Sequence, residues 1–183
     1  ARAVLIGDGR LSSSPDKIKE DNIRPMYKED PLYADRVILE PDSETEEVVE
    51  SVIRALDEYE GTGSPTYFTT AAHATDMLLL KDKMGRRYYR TMSEVADALT
   101  VEKVVKVPVM KNMSRTAEGK TYDLLGIAVN LTDYNIGADK GGEINSFEDF
   151  DIDFNQYKYL LETRISGALT KPRSAVVVEM ERA

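Results

Sequence analysis

The apolar residues switch between helical and strand spacing several times after residue 43, and that order limits the fold more than any other feature. Val49, Val52, Ile53 and Leu56 sit at i, i+3, i+4 and i+7, the pattern of an amphipathic helix. Asp42 or Ser43 can cap it, and Glu46 follows Ser43 at capping-box distance. We expect this helix over 44–60, ending near Gly61-Thr62-Gly63. A short strand follows at Tyr67–Thr70. A second helix is expected over Ala71–Met84, stopped by Gly85. Thr91 and Glu94 form another capping box for a third helix through Leu99. Val104–Val109 and Leu124–Leu131 read as strands, with a polar loop from Lys111 to Asp123 between them. Arg36–Leu39 is a further short strand. Helices and strands alternate without a regular βαβ repeat, which indicates an α+β fold.

The two ends extend this pattern. Ala3–Ile6 reads as a strand ending in the turn Gly7-Asp8-Gly9-Arg10, and an irregular polar stretch runs on to Tyr33. The chain opens without Met and directly in a strand, so an excerpt of a longer protein is expected. Toward the other end, Phe150, Ile152 and Phe154 alternate with Asp149, Asp151 and Asp153, the period of a strand with one wet face. Tyr159–Leu169 and Ala175–Glu179 read as two more strands.

Composition narrows the function. The formal net charge of −9 over 183 residues disfavours phosphate backbones and anionic membranes as partners. With no cysteine there is no disulfide, thiol nucleophile or thiolate metal site. No stretch approaches the roughly 20 apolar residues of a membrane helix.

Each candidate reactive motif lacks a required part. Gly7-x-Gly9 has no third glycine and no following helix, so a tight turn is the better account. His73 is the only histidine, and no Gly-x-Ser-x-Gly elbow accompanies it; a surface or capping role is expected. Asp133, Asn135 and Asp139 have calcium-loop spacing, but the sixth position is Ala138 and the twelfth Ile144, which leaves the loop without its turn glycine and bidentate glutamate. Asp149, Asp151 and Asp153 could in principle serve a carboxylate-dependent hydrolase, although a solvated strand face explains them without chemistry. No catalytic residue, cofactor or metal ligand is therefore assigned.

Charge segregation says more. Residues 40–60 hold nine acidic side chains against Arg54, and residues 81–90 hold five basic ones against Asp82. Opposed patches on one chain suit a self-assembling ring; two solvated faces would give the same pattern. The candidate subunit-contact residues are Glu46, Glu47, Glu50, Arg54, Glu58, Lys81, Arg86, Arg87 and Arg90, with Arg115 and Lys120 from the loop at 111–123.

Taken in order, these elements resemble the major capsid protein of tailed bacteriophages, the Hong Kong 97-like fold. The Asp-Gly turn at Ile6–Gly9 resembles the loop leading into the axial domain, and Ser51–Tyr59 the axial-domain helix. Tyr67–Thr70 with Ala71–Lys83, ending Leu79-Leu80-Lys81-Asp82-Lys83-Met84-Gly85-Arg86-Arg87-Tyr88, resembles the next strand and helix. Val105-Lys106-Val107-Pro108-Val109 resembles the strand after it. Phe150–Tyr159 resembles the peripheral-domain hairpin, and Leu161–Leu169 with Ala175–Val178 the strand returning to the axial domain.

The resemblance implies a connecting loop and an α+β axial domain over residues 1–146, a long peripheral hairpin over 147–166 and a strand over 167–183 that returns to the axial domain. The N-terminal arm, extended loop and spine helix would precede Ala1. It implies a structural head subunit that self-assembles with copies of itself into pentameric and hexameric capsomers of a virion shell, built in the bacterial cytoplasm. No enzyme activity, cofactor, specific nucleic acid or membrane is implied. An encapsulin-type nanocompartment shell is the alternative on the same fold. Asn155 falls near the asparagine that some members cross-link to a lysine of the extended loop; a turn role suits it equally. The hairpin, without its spine helix, should be the least self-sufficient part of the chain.

Overall fold

The valine run of Ala175–Glu181 (β10) is the spine of the molecule. A computed structural model describes residues 5, 23–41, 43–111, 113–138, 144–162 and 165–182. Strand β10 pairs in parallel with β1 (Ala34–Leu39) on one side and antiparallel with β5 (Lys120–Val129) on the other. Beyond β5 lie β2 (Thr66–Thr69), antiparallel to it, and β3 (Lys103–Lys106), parallel to β2. Strand β4 (Ser114–Ala117) forms a hairpin with the start of β5.

Alternation along these strands divides the interior into two cores. Val176, Val178, Ala128 and Tyr67 face the helices α1 (Thr45–Leu56), α2 (Ala71–Leu78) and α3 (Met92–Ala98), meeting Val48, Val49, Val52, Met77, Val95 and Leu99. Ala175, Val177, Ile127, Val129 and Phe68 face the opposite way. They are covered by Leu5, by Met26, Tyr27 and Met110 of two 3-10 turns, and by Tyr134 and Leu169. The sheet is buried on both faces, which accounts for the unbroken apolar runs in β5 and β10.

Between β5 and β10 the chain makes a long excursion. Strands β6 (Tyr134–Ala138) and β9 (Ile165–Leu169) form a two-stranded ladder, and β7 (Asn145–Asp151) and β8 (Gln156–Glu162) form a second. Neither ladder joins the central sheet.

Several boundaries differ from expectation. Helix α1 starts at Thr45 and ends at Leu56; Ser43 donates its hydroxyl to the Glu40 carbonyl rather than capping, and Glu44 takes the cap position without a side-chain bond. Asp42 lies outside the described residues. Helix α2 ends at Leu78, not Met84, because the Asp82 carboxylate captures the Met84 and Arg86 amides and turns the chain back. Strand β3 stops at Lys106, and Pro108–Met110 form a 3-10 turn.

The expected loop at 111–123 is the β4–β5 hairpin, turning at Glu118 and Gly119, both with positive φ (53° and 81°). The segment with calcium-loop spacing after Asp133 contains β6. Strand β7 ends at Asp151, so Ile152–Asn155 form the hairpin tip instead of continuing a strand. The expected strand Tyr159–Leu169 is divided between β8 and β9. Of the expected first strand and its Gly7–Gly9 turn, only Leu5 lies within the described residues; it is helical and buried.

Candidate assembly surface

Helix α1 carries the acidic patch. Its apolar stripe is buried, which leaves Glu46, Glu47, Glu50 and Arg54 in solvent. Arg54 donates to Glu50 one turn away, at 2.5 and 3.1 Å. Glu58, just beyond the helix, pairs with Arg173 at 3.3 Å. Pairs this exposed are screened by water and salt, so they shape the surface charge more than they hold the fold. Between α1 and the end of β1 runs a groove of about 410 Å³, lined by Ile38, Leu39, Glu40, Ser43, Glu47, Glu50, Ser51 and Arg54.

The basic patch is a built loop. The Asp82 amide donates to the Arg86 carbonyl at 2.8 Å, the Tyr88 amide to Leu80 at 3.0 Å, and Lys81 bridges Arg87 through the backbone. Gly85 supplies the left-handed residue, φ +80°. Asp82, the one acidic residue of the segment, is consumed inside the loop by two amides and the Arg86 guanidinium, 3.2 Å away. Lys81, Lys83, Arg87 and Arg90 are exposed, and among the described residues none of them has a carboxylate within salt-bridge distance.

Arg115 and Lys120 each pair with a glutamate of their own chain, Arg115 half-buried and Lys120 exposed. Arg115 straddles the Glu179 carboxylate, with Nε and Nη2 2.7–3.0 Å from its oxygens. Glu179 is fully buried and also accepts from Arg36 at 3.3 Å. Burial raises the Tyr27 phenol pKa, and the Glu179 charge raises it further. Lys120 pairs with Glu181 at 2.9 Å. The Arg36–Glu179–Arg115 cluster has no sequence signature. Glu179 follows a valine run and Arg36 sits inside a strand, and only the register of β1, β10 and β4 brings them together.

The residues weighed for chemistry fall apart as a site. His73 is buried in the first turn of α2 rather than at the surface, edge-on to Tyr67 at 6.3 Å, and burial lowers its pKa to about 4. The Asp133 carboxylate accepts the Thr62 amide and hydroxyl at 2.7 and 2.5 Å, so it clamps the loop after α1. Asn135 donates to Thr170, and Asp139 lies outside the described residues. Asp149 and Asp151 share one face of the hairpin, where Asp151 pairs with Lys158, while Asp153 is in the tip. Among the described residues no three ligating side chains converge on a metal position, and no helix is long and apolar enough to cross a membrane.

The hairpin β7–β8 exposes its aromatics. Phe147, Phe150, Phe154, Tyr157 and Tyr159 are 44–74% accessible. Phe150, Tyr157, Tyr159 and Leu161 share one face, with the first two rings 5.0 Å apart and the next pair 6.4 Å apart. Asn155 closes the tip in the left-handed region, φ +49°, a conformation asparagine tolerates better than most residues.

No family model matches the chain, and no curated protein does. Solved structures do. The capsid of an empty GTA particle, computed with C5 symmetry, aligns over 99% of this chain with a TM-score of 0.56 and 13% identity. The capsid of the native GTA particle, also computed with C5 symmetry, aligns over 98% with a TM-score of 0.58 and 12% identity. A phage-related protein from Bordetella bronchiseptica RB50 aligns over 86% at 11% identity, with a TM-score of 0.48. The chain spans 59% of the length of each GTA capsid chain. The chain shares its α+β fold with part of each of these two GTA capsid chains.

Proposed function

We propose that this chain is the axial portion and peripheral hairpin of a shell-forming subunit in the head of a tailed phage or prophage, assembling with copies of itself into capsomers. The observation that carries this is the hairpin. A domain with two filled cores extends a two-stranded ladder whose aromatic face is exposed, with no cover among the described residues. Isolated two-stranded ladders are marginal in water, and a contiguous exposed apolar patch marks an interaction surface. A fold shared with two capsid chains makes a neighbouring subunit the natural cover. The remaining length of the subunit, with the arm, extended loop and spine helix, belongs to the same proposal.

The test is electron microscopy and sedimentation of the full-length subunit expressed in bacteria. Closed shells, or rings of five and six subunits, are expected. A species that stays monomeric at every concentration and carries turnover at Asp149 or Asp151 would overturn the proposal.

A further inference from the structure

Resting on that shell reading, we propose that subunits meet head to tail: the basic loop 81–90 of one copy seats in the acidic groove between β1 and α1 of the next. Three observations support it. First, the groove combines Glu40, Glu47 and Glu50 with the half-exposed Ile38, and it lies beside the outer edge of β1, which pairs with no strand among the described residues. An acidic wall beside a free sheet edge fits a cationic loop that projects its side chains. Second, the loop is pre-shaped by Asp82 and Gly85, so docking does not have to order it. Its projecting charges are Lys83, Arg87 and Arg90. Third, among the described residues Lys81, Lys83, Arg87 and Arg90 have no carboxylate within salt-bridge distance, so their charge is available to a second copy. A contact between two different patches on neighbouring copies is heterologous, and it forms a ring where the rotation between copies closes.

This geometry has a parity consequence. Take one variant whose groove is made net basic like its loop, Glu47→Lys/Glu50→Lys, and another whose loop is made net acidic like its groove, Lys83→Glu/Arg87→Glu/Arg90→Glu. Neither can pair with itself. Mixed together they can pair only in alternation, and alternation closes rings of even number only. A chain carrying both sets of substitutions pairs with itself again.

The experiment is native mass spectrometry and sedimentation of the wild type, each variant, their equimolar mixture and the combined variant, in low salt and in 0.5 M NaCl. Circular dichroism melts check that each folds. Each variant alone should need at least ~10-fold higher concentration to associate than the wild type. The mixture should recover even-numbered species and lack five-membered ones, and the combined variant should recover both. High salt should weaken wild-type association. Folded variants that associate like the wild type would overturn this contact while leaving the shell reading intact, as would a mixture rich in odd-numbered rings. A full-length wild type with no assemblies would overturn both.

Discussion

Replacing Arg115 with Met would leave a buried carboxylate with little compensation. Arg115 supplies three contacts of 2.7–3.0 Å to Glu179, whereas Arg36 supplies one at 3.3 Å. Removing one partner of a buried ion pair costs about 3–5 kcal/mol. Two features reduce this: Arg36 remains, and the Arg115 side chain is itself 28% accessible, so solvent already shares its charge. We expect a loss of about 2–3 kcal/mol, equivalent to a fall in Tm of roughly 4–12 °C for a domain of this size.

Glu179→Leu removes the acid and lets both guanidiniums turn to water, so its cost should be lower, about 1–2 kcal/mol. The double variant Arg115→Met/Glu179→Leu replaces the pair with apolar groups and should lie within about 1 kcal/mol of the wild type. Urea unfolding of the four proteins gives the cycle. A coupling of about 2 kcal/mol or more is expected. Simple additivity, or an Arg115→Met loss below about 0.5 kcal/mol, would refute the account of Glu179 as a carboxylate held by Arg115.

Other outcomes follow from single contacts. His73 has a folded pKa of about 4 against an ordinary 6.5, so the unfolded chain binds more protons between these values and stability falls as pH drops from 6.5 toward 4; His73→Leu should remove up to about 3 kcal/mol of that slope, read from urea melts at pH 7 and pH 4.5. Gly126→Ala places a methyl 2.4 Å from the Tyr67 ring and hydroxyl, and a thermal melt should show a loss of about 1–3 kcal/mol from overpacking. Asp133→Ala leaves the Thr62 amide and hydroxyl without their acceptor and should cost about 2 kcal/mol by urea unfolding. Tyr157→Ser with Tyr159→Ser should change the melting free energy by less than about 0.5 kcal/mol, because both side chains are exposed, yet should abolish shells of the full-length subunit seen by electron microscopy.

Burial patterns were legible in the sequence; local side-chain capture was not. Val49, Val52, Ile53 and Leu56 announced α1, and the valines of β10 announced a strand, because burial imposes period and composition together. The second helix was overextended because Leu79, Leu80 and Met84 continue an apolar pattern, and nothing in periodicity registers that Asp82 will bind two amides downstream of it. The β4–β5 hairpin was hidden for the opposite reason. Its flanks, Ser114–Ala117 and Lys120–Thr121, are too polar and too exposed to show an alternating stripe, although Glu118-Gly119 carried a turn signal. The groove between β1 and α1 depends on which edge β1 occupies, a matter of strand order that no local pattern encodes.

Val129 and Ala175 are register partners in the central sheet, so the chain between them leaves and rejoins that sheet through a single doorway. The closure entropy of that long loop is therefore met at the doorway and again where Ala138 pairs with Ile165. Beyond that second pairing, changing the length of the arm alters closure entropy only slowly, by about 0.6 kcal/mol for each doubling. A lineage, or a designer, could lengthen, shorten or exchange residues 144–162 without shifting the register of a single core strand, and so alter how far the arm reaches while the folding unit stays the same.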